Sequence, residues 1–233
     1  DFLFQEGTIE ADLGEVLPMI LPRIPNSYPL PSVYTDEEIR AILGSIDRST
    51  VQGSRDFAIL MLASSLGIRA SDICEMTLEA INFVKNELSF IQKKTSVPLT
   101  LPLLPDVKEA LLGYLGYRKI DSTDEPIFIQ CRAPYHKLTR MGIWTIMRRY
   151  VKQSGVDPGH RKRGTHALRS SLASSMVREQ VPYYAVQKIL GHESPQSTKN
   201  YVRIDIGRLR EFTLPVPEAY GRFDAFLKGG ETR

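Results

Sequence analysis

Between Ile81 and Leu101 the hydrophobic pattern abandons the helical period and alternates. Ile81 to Val84, Leu88 to Gln92 and Val97 to Leu101 read as three short strands, separated by Lys85-Asn86-Glu87 and Lys93-Lys94-Thr95-Ser96 as turns. Links this short join only antiparallel neighbours. The segments on both sides carry helical spacing, so the expected fold is α+β, mainly helical, with one small three-stranded antiparallel sheet.

Helix boundaries follow from caps and breakers. Thr35-Asp36-Glu37-Glu38 is a capping box and predicts a helix from near Asp36 to about Ser45. Ser54 to Leu66 predicts a second helix, apolar enough to be central. Gly67 ends it and sets Ile68 to Asp72 at the junction with a short following helix. Pro105 to Tyr117 is helical. Thr139 caps a further helix, with Ile143, Ile146, Met147 and Tyr150 on one stripe and Arg148, Arg149 and Lys152 off it. Thr165 is expected to cap a helix from His166 to about Glu179, and Pro182 opens one that ends at Leu190 before Gly191.

With 42% hydrophobic residues in 233, the chain can build a core, which excludes a disordered protein. Its cysteines, Cys74 and Cys131, form no Cys-x-x-Cys unit and suggest a reducing compartment. The longest apolar run, Phe57 to Leu66, is too short for a bilayer. Leu21 to Pro31 holds four prolines in eleven residues and reads as an extended linker. The chain opens at Asp1 without an initiator Met, which reads as a fragment of a longer protein.

Charge is unevenly placed. Asp1 to Asp47 carries nine acids against two bases, whereas Arg132 to Ser171 carries ten bases against one acid, Asp157. Arg140, Arg148, Arg149, Arg161, Lys162 and Arg163, together with Lys93 in the strand turn, are the candidate contacts for a polyanion.

Several residues have chemistry beyond charge, and each taken singly has an ordinary explanation. Arg69 and Asp72 suit an ion pair at a helix end. Lys93 and Lys94 suit an exposed turn. His166 and Arg169 lie three apart at a helix start, where free N–H groups and the helix dipole favour a phosphate. His192 follows Gly191 at a helix end, and Tyr201 follows a polar run as either a core anchor or a presented phenol.

Their order in the chain is more specific than any one of them. Gly67-Ile68-Arg69, then Lys94-Thr95 in a hairpin turn, then His166-Ala167-Leu168-Arg169, then Leu190-Gly191-His192, then Tyr201 nine positions on, resembles the catalytic signature of the tyrosine recombinases, the phage-integrase family. The resemblance runs from about Pro31 to Arg210. Leu30 to Ile39 and Ile91 to Pro105 look most like integrases of bacterial mobile elements.

The resemblance implies a tyrosine-recombinase catalytic domain over residues 32–205. Residues 1–31 would be a remnant of a core-binding domain plus the linker, and 206–233 a C-terminal tail that docks on a neighbouring protomer or folds back. It implies DNA cleavage and rejoining through a 3′-phosphotyrosyl intermediate, with no cofactor, no metal and no ATP. Catalytic roles fall on Arg69, Lys94 (Lys93 competing), His166, Arg169, His192 and the nucleophile Tyr201, with Asp72 supporting Arg69. Implied partners are double-stranded DNA, further copies in a homotetramer on two DNA sites, and an accessory DNA-bending or directionality factor. The implied location is the bacterial cytoplasm, at the nucleoid, away from membranes. Two other readings stay open: a non-catalytic DNA-binding module of the same fold, and a type IB topoisomerase-like nicking-closing enzyme. Ser170 and Ala167 depart from residues often seen in the family beside Arg169 and His166.

Overall fold

In the computed structural model, which describes residues 32–118 and 125–191, helix α1 (Asp36–Gly44) begins at the predicted capping box. Thr35 Oγ1 accepts from Glu38 N (3.2 Å) and Glu38 Oε2 accepts from Thr35 N (2.8 Å). Helix α2 (Val51–Ser65) starts three residues earlier than expected, because the Thr50 hydroxyl accepts from Gly53 N and caps it there. From Gly53 to Ser64 only Phe57 escapes full burial, so α2 is the central element. It packs against α4 (Pro105–Leu115) and α6 (Thr165–Arg178).

Burying Arg55 and Asp56 on such a helix is costly unless every polar atom is paired. Arg55 Nε and Nη2 donate to Asp56 Oδ1 at 2.9 and 2.6 Å, and Nη1 donates to Ile129 O at 2.8 Å. Asp56 Oδ2 accepts from the Tyr150 hydroxyl (3.1 Å) and Arg149 Nη1 (3.3 Å). This network ties α2 to α5 (Arg140–Gln153), whose predicted stripe Ile143, Ile146, Met147 and Tyr150 is buried.

After α3 (Ala70–Glu75) and a 3-10 turn (Leu78–Ala80) come β1 (Ile81–Asn82), β2 (Glu87–Ile91) and β3 (Pro98–Pro102). They pair antiparallel in the order β1-β2-β3, with Leu88 opposite Leu101 and Phe90 opposite Leu99. Each differs slightly from expectation. Strand β1 stops at Asn82 because its side-chain oxygen accepts from Val84 N and Lys85 N (3.1 and 2.8 Å), turning the chain. Strands β2 and β3 sit one residue off, since Gln92 and Val97 close the turn between them.

Helix α6 also departs at its start. Thr165 is buried inside the first turn, and Gly164 takes the cap position with no side-chain cap. A Cβ on Gly164 would meet Trp144 Cδ1 at 3.1 Å, so the chain approaches α5 where a larger cap would crowd it. Helix α7 (Tyr183–Leu190) opens after Pro182 and ends on Gly191 as predicted.

The start of the described chain is fastened to α6 and to the loop before it. Tyr34 N donates to Ser171 Oγ (2.7 Å), the Tyr34 hydroxyl donates to Lys162 O (3.2 Å), and Lys162 N donates to Ser32 Oγ (3.0 Å). Arg161 grips Glu38 through two bonds of 2.6 and 2.7 Å and lies over the Tyr34 ring at 4.4 Å. A partly exposed ion pair contributes about 0–1 kcal/mol, whereas full burial of a large side chain contributes about 1.5–3 kcal/mol. Tyr34, 3% exposed, therefore dominates this fastening and Arg161–Glu38 orients it. Among the described residues no helix is long and apolar enough to cross a membrane.

Candidate active site

The site is built on the end of α7. Helix carbonyls at a C-terminus have no intrahelical donors and carry the negative end of the helix dipole, so they attract cations. Here Arg169 Nη2 donates to Leu190 O (2.5 Å), Arg69 Nη2 donates to Gly191 O (3.3 Å), and Arg169 Nη1 donates to Gly67 O (2.5 Å). Two guanidiniums from different elements thus meet on successive carbonyls.

Two glycines make that approach possible. Gly67 (φ +63°) ends the α2 segment, and a Cβ there would lie 2.8 Å from Leu190 Cδ2 and 3.1 Å from Leu172 Cδ2. Gly191 (φ +59°) is the left-handed cap of α7, and a Cβ there would strike the Gln92 amide. Arg69 occupies the N-cap of α3, directly after the Gly67 turn.

Arg69 and Arg169 differ in what they hold. Arg169 is 5% exposed and bridges two carbonyls. Arg69 Nη1 is buried with no hydrogen-bond partner among the described residues, a donor facing an unmet demand of about 1–3 kcal/mol. An anionic oxygen placed there would satisfy it. Asp72, 4% exposed, does not pair with Arg69; its Oδ1 accepts from Lys93 N (2.9 Å) and the Ser71 hydroxyl (3.3 Å). Its Oδ2 is also buried without a partner among the described residues. Asp72 therefore anchors the hairpin rather than the arginine.

That anchoring separates the two lysines. Lys93 Nζ pairs with Glu75 Oε1 (2.5 Å), while Lys137 Nζ pairs with Glu75 Oε2 (2.8 Å). These two ammonium groups, Lys137 first, hold the Glu75 carboxyl below its ordinary pKa. Lys94 is exposed and makes no ion pair among the described residues. His166 is exposed one turn ahead of Arg169, with Nδ1 at 3.3 Å from Ser170 Oγ. His192 and Tyr201 lie outside the described residues.

Two buried groups, Cys74 and Tyr150, are poorly suited to nucleophilic attack. Burial pushes the Cys74 thiol up to about 11 and, together with the Asp56 charge, the Tyr150 phenol up to about 12. No cluster of three or more His, Cys, Asp or Glu arranged for a metal is found among the described residues.

The expected polyanion contacts divide in two. Lys93, Arg149 and Arg161 are held by Glu75, Asp56 and Glu38 respectively. Arg140, Arg148, Lys162 and Arg163 are exposed without an ion pair among the described residues, and Arg148 lies 5.3 Å over the half-exposed Trp144 ring. Sequence reasoning passed over Gln92, Glu75 and Trp144. For Gln92 a signal existed: Leu88, Phe90 and Gln92 share the inward phase of the strand, and a polar residue on that phase needs partners.

The description "Phage integrase family" fits residues 32–208 of the chain. Integrase/recombinase y4gC of Sinorhizobium fredii is 34% identical over 189 residues, covering 81% of this chain and 97% of that protein. Tyrosine recombinase XerA of Pyrococcus furiosus is 30% identical, over 82% of this chain and 63% of XerA. In fold, the chain superposes on the XerH site-specific recombinase bound to palindromic difH substrate with a TM-score of 0.66. That match has 21% identity and covers 78% of this chain and 52% of XerH. The chain thus spans nearly all of the first of these proteins but under two thirds of the others.

Proposed function

The chain belongs to the phage integrase family, the tyrosine recombinases, and from that membership we propose that it is the catalytic part of a site-specific DNA recombinase. The observation that carries this is the pair of arginines on the end of α7, one of them with a buried donor unmet.

The chemistry is an in-line transesterification. The Tyr201 phenol oxygen attacks the scissile phosphorus, forming the Tyr201 O–P bond as the bond from phosphorus to the 5′ oxygen breaks. A free phenol has a pKa of about 10 and needs its proton taken, a role this reading assigns to His166. Lys94 supplies a proton to the departing 5′ oxygen. Arg69 and Arg169 bind the non-bridging oxygens through forked N–H donors, with His192 adding another bond. The ester exchanged is close in energy to the ester formed, so rejoining runs the same steps backward and calls for neither nucleotide hydrolysis nor a metal.

Exposed Arg140, Arg148, Lys162 and Arg163 serve the duplex backbone, with Lys93, Arg149 and Arg161 chiefly holding the surface in place. Residues 1–31 are the end of a core-binding domain plus linker, and 206–233 a C-terminal tail that docks on a neighbouring protomer or folds back. Recombination takes four copies on two DNA sites, with an accessory DNA-bending or directionality factor as a further partner. XerH, of the same fold, is described on its difH DNA, which supports duplex DNA as the partner here.

A nicked suicide duplex of the recombination site tests this reading. Wild-type protein gives a covalent protein–DNA adduct and Tyr201→Phe gives none. A protein that binds the duplex yet forms no adduct is instead a non-catalytic DNA-binding module.

A further inference from the structure

One buried amide lies between the lysine hairpin and the helix end that gathers the arginines. Strand β2 turns Leu88 inward and Glu87, Ser89 and Ile91 outward, and Gln92 continues the inward phase at 1% exposure. Its Nε2 donates to Leu190 O (3.4 Å) and its Oε1 accepts from the Thr95 hydroxyl (2.8 Å). Its backbone closes the same turn, with Gln92 N donating to Val97 O (3.0 Å) and Gln92 O accepting from Ser96 N (2.8 Å). Across from it stands Gly191, where a Cβ would come within 2.6 Å of three atoms of the amide group.

An apolar residue of similar size would satisfy the inward phase without the desolvation cost of an amide. The amide instead links two functional elements. Leu190 O receives both Gln92 Nε2 and Arg169 Nη2, so the hairpin and the second arginine share one acceptor. Asp72 and Glu75 fasten the Lys93 side of the turn to α3, whereas Gln92 fastens it to α7.

We propose that Gln92 is a positioning residue for strand cleavage: by bonding Thr95 within the turn and Leu190 O on α7, it fixes Lys94 relative to the phosphate that Arg69 and Arg169 hold. This rests on the reading of Lys94 as the proton donor to the 5′ oxygen. A phosphate gripped correctly but approached by a misplaced ammonium group still binds, and fails at the departure of the leaving group.

Single-turnover adduct formation by the whole 233-residue chain tests it, at saturating protein, on two nicked duplexes. One carries oxygen and the other sulfur at the bridging 5′ position of the scissile phosphate. A thiol has a pKa of about 8.5, so sulfur leaves as thiolate without a donated proton. Lys94→Ala should slow cleavage roughly 100-fold on oxygen and return to within about threefold of wild type on sulfur, the signature of a missing general acid. Gln92→Leu should slow cleavage about tenfold or more on oxygen and be restored by sulfur in the same way. Gln92→Glu keeps the acceptor for Thr95 but loses the donor to Leu190 O, and should follow Gln92→Leu with unchanged duplex affinity. Slow cleavage on both substrates, or an undiminished rate on oxygen, overturns the role of Gln92. Failure of sulfur to restore Lys94→Ala instead removes Lys94 as the acid, and the dependent role of Gln92 with it. No adduct from wild type on either duplex overturns the recombinase reading itself.

Discussion

Arg69 and Arg169 look equivalent in the sequence, yet the structure gives them different burdens. Arg169 donates to two carbonyls in the interior, so Arg169→Ala takes that donor from Gly67 O and leaves Leu190 O with Gln92 Nε2, as well as removing the phosphate contact proposed above. It should abolish adduct formation and also lower stability by about 2–4 kcal/mol in urea unfolding, with much of the duplex affinity retained. Arg69→Ala removes one weaker bond and an unmet donor. Its expected profile is a loss of about 10²–10³ in adduct rate with an unfolding midpoint close to wild type. Equal destabilisation by both variants would contradict this division. Arg69→Lys should rescue little, because a point charge cannot reproduce a planar fork.

Helix ends, more than helix faces, decide where the functional groups fall. Gly67→Ala combines a left-handed backbone with a 2.8 Å approach to Leu190 Cδ2, and should cost about 1–3 kcal/mol by chemical denaturation while slowing cleavage. Gly44→Ala, which meets nothing, is the matched control. Most such elements were legible in the chain. Thr35 and Glu38 announced α1, Gly67 and Gly191 announced two helix ends, and alternation at Leu88, Leu99 and Leu101 announced the sheet. What escaped was set by tertiary packing. Thr165 reads as a cap, but close contact between Gly164 and Trp144 moves the boundary one residue. Arg69 and Asp72 read as an ion pair, but the Lys93 amide takes the carboxylate, and no local pattern encodes a partner twenty-one residues away. Arg161 reads as one of three consecutive basic residues, and only the fold reveals that Glu38 claims it.

At the scale of the whole molecule, the charges of the described residues divide into groups that face outward and groups that hold the fold together. Each exposed base meeting a phosphate should contribute about 0.9 to the slope of log affinity against log salt. Arg148→Ala or Lys162→Ala should therefore flatten that slope by about one. Arg161→Ala should leave it unchanged and lower the melting temperature instead, a contrast that salt titration and calorimetry together resolve. Acid tests the same division. The Arg161 hydrogen bond holds the Glu38 carboxyl below its ordinary pKa. Its stabilising contribution is thus complete above the unfolded-state value of about 4.3 and disappears as pH falls through the lower folded value. Wild type should lose stability faster than Glu38→Gln on acidification through that window, read from urea midpoints at successive pH values. The fastening of Ser32, Tyr34 and Glu38 onto residues 157–163 also constrains protein engineering. A chimera that imports this loop from a relative, to alter which duplex it prefers, inherits half of a clasp, and it will hold its shape only when the matching stretch around position 38 is transplanted as well.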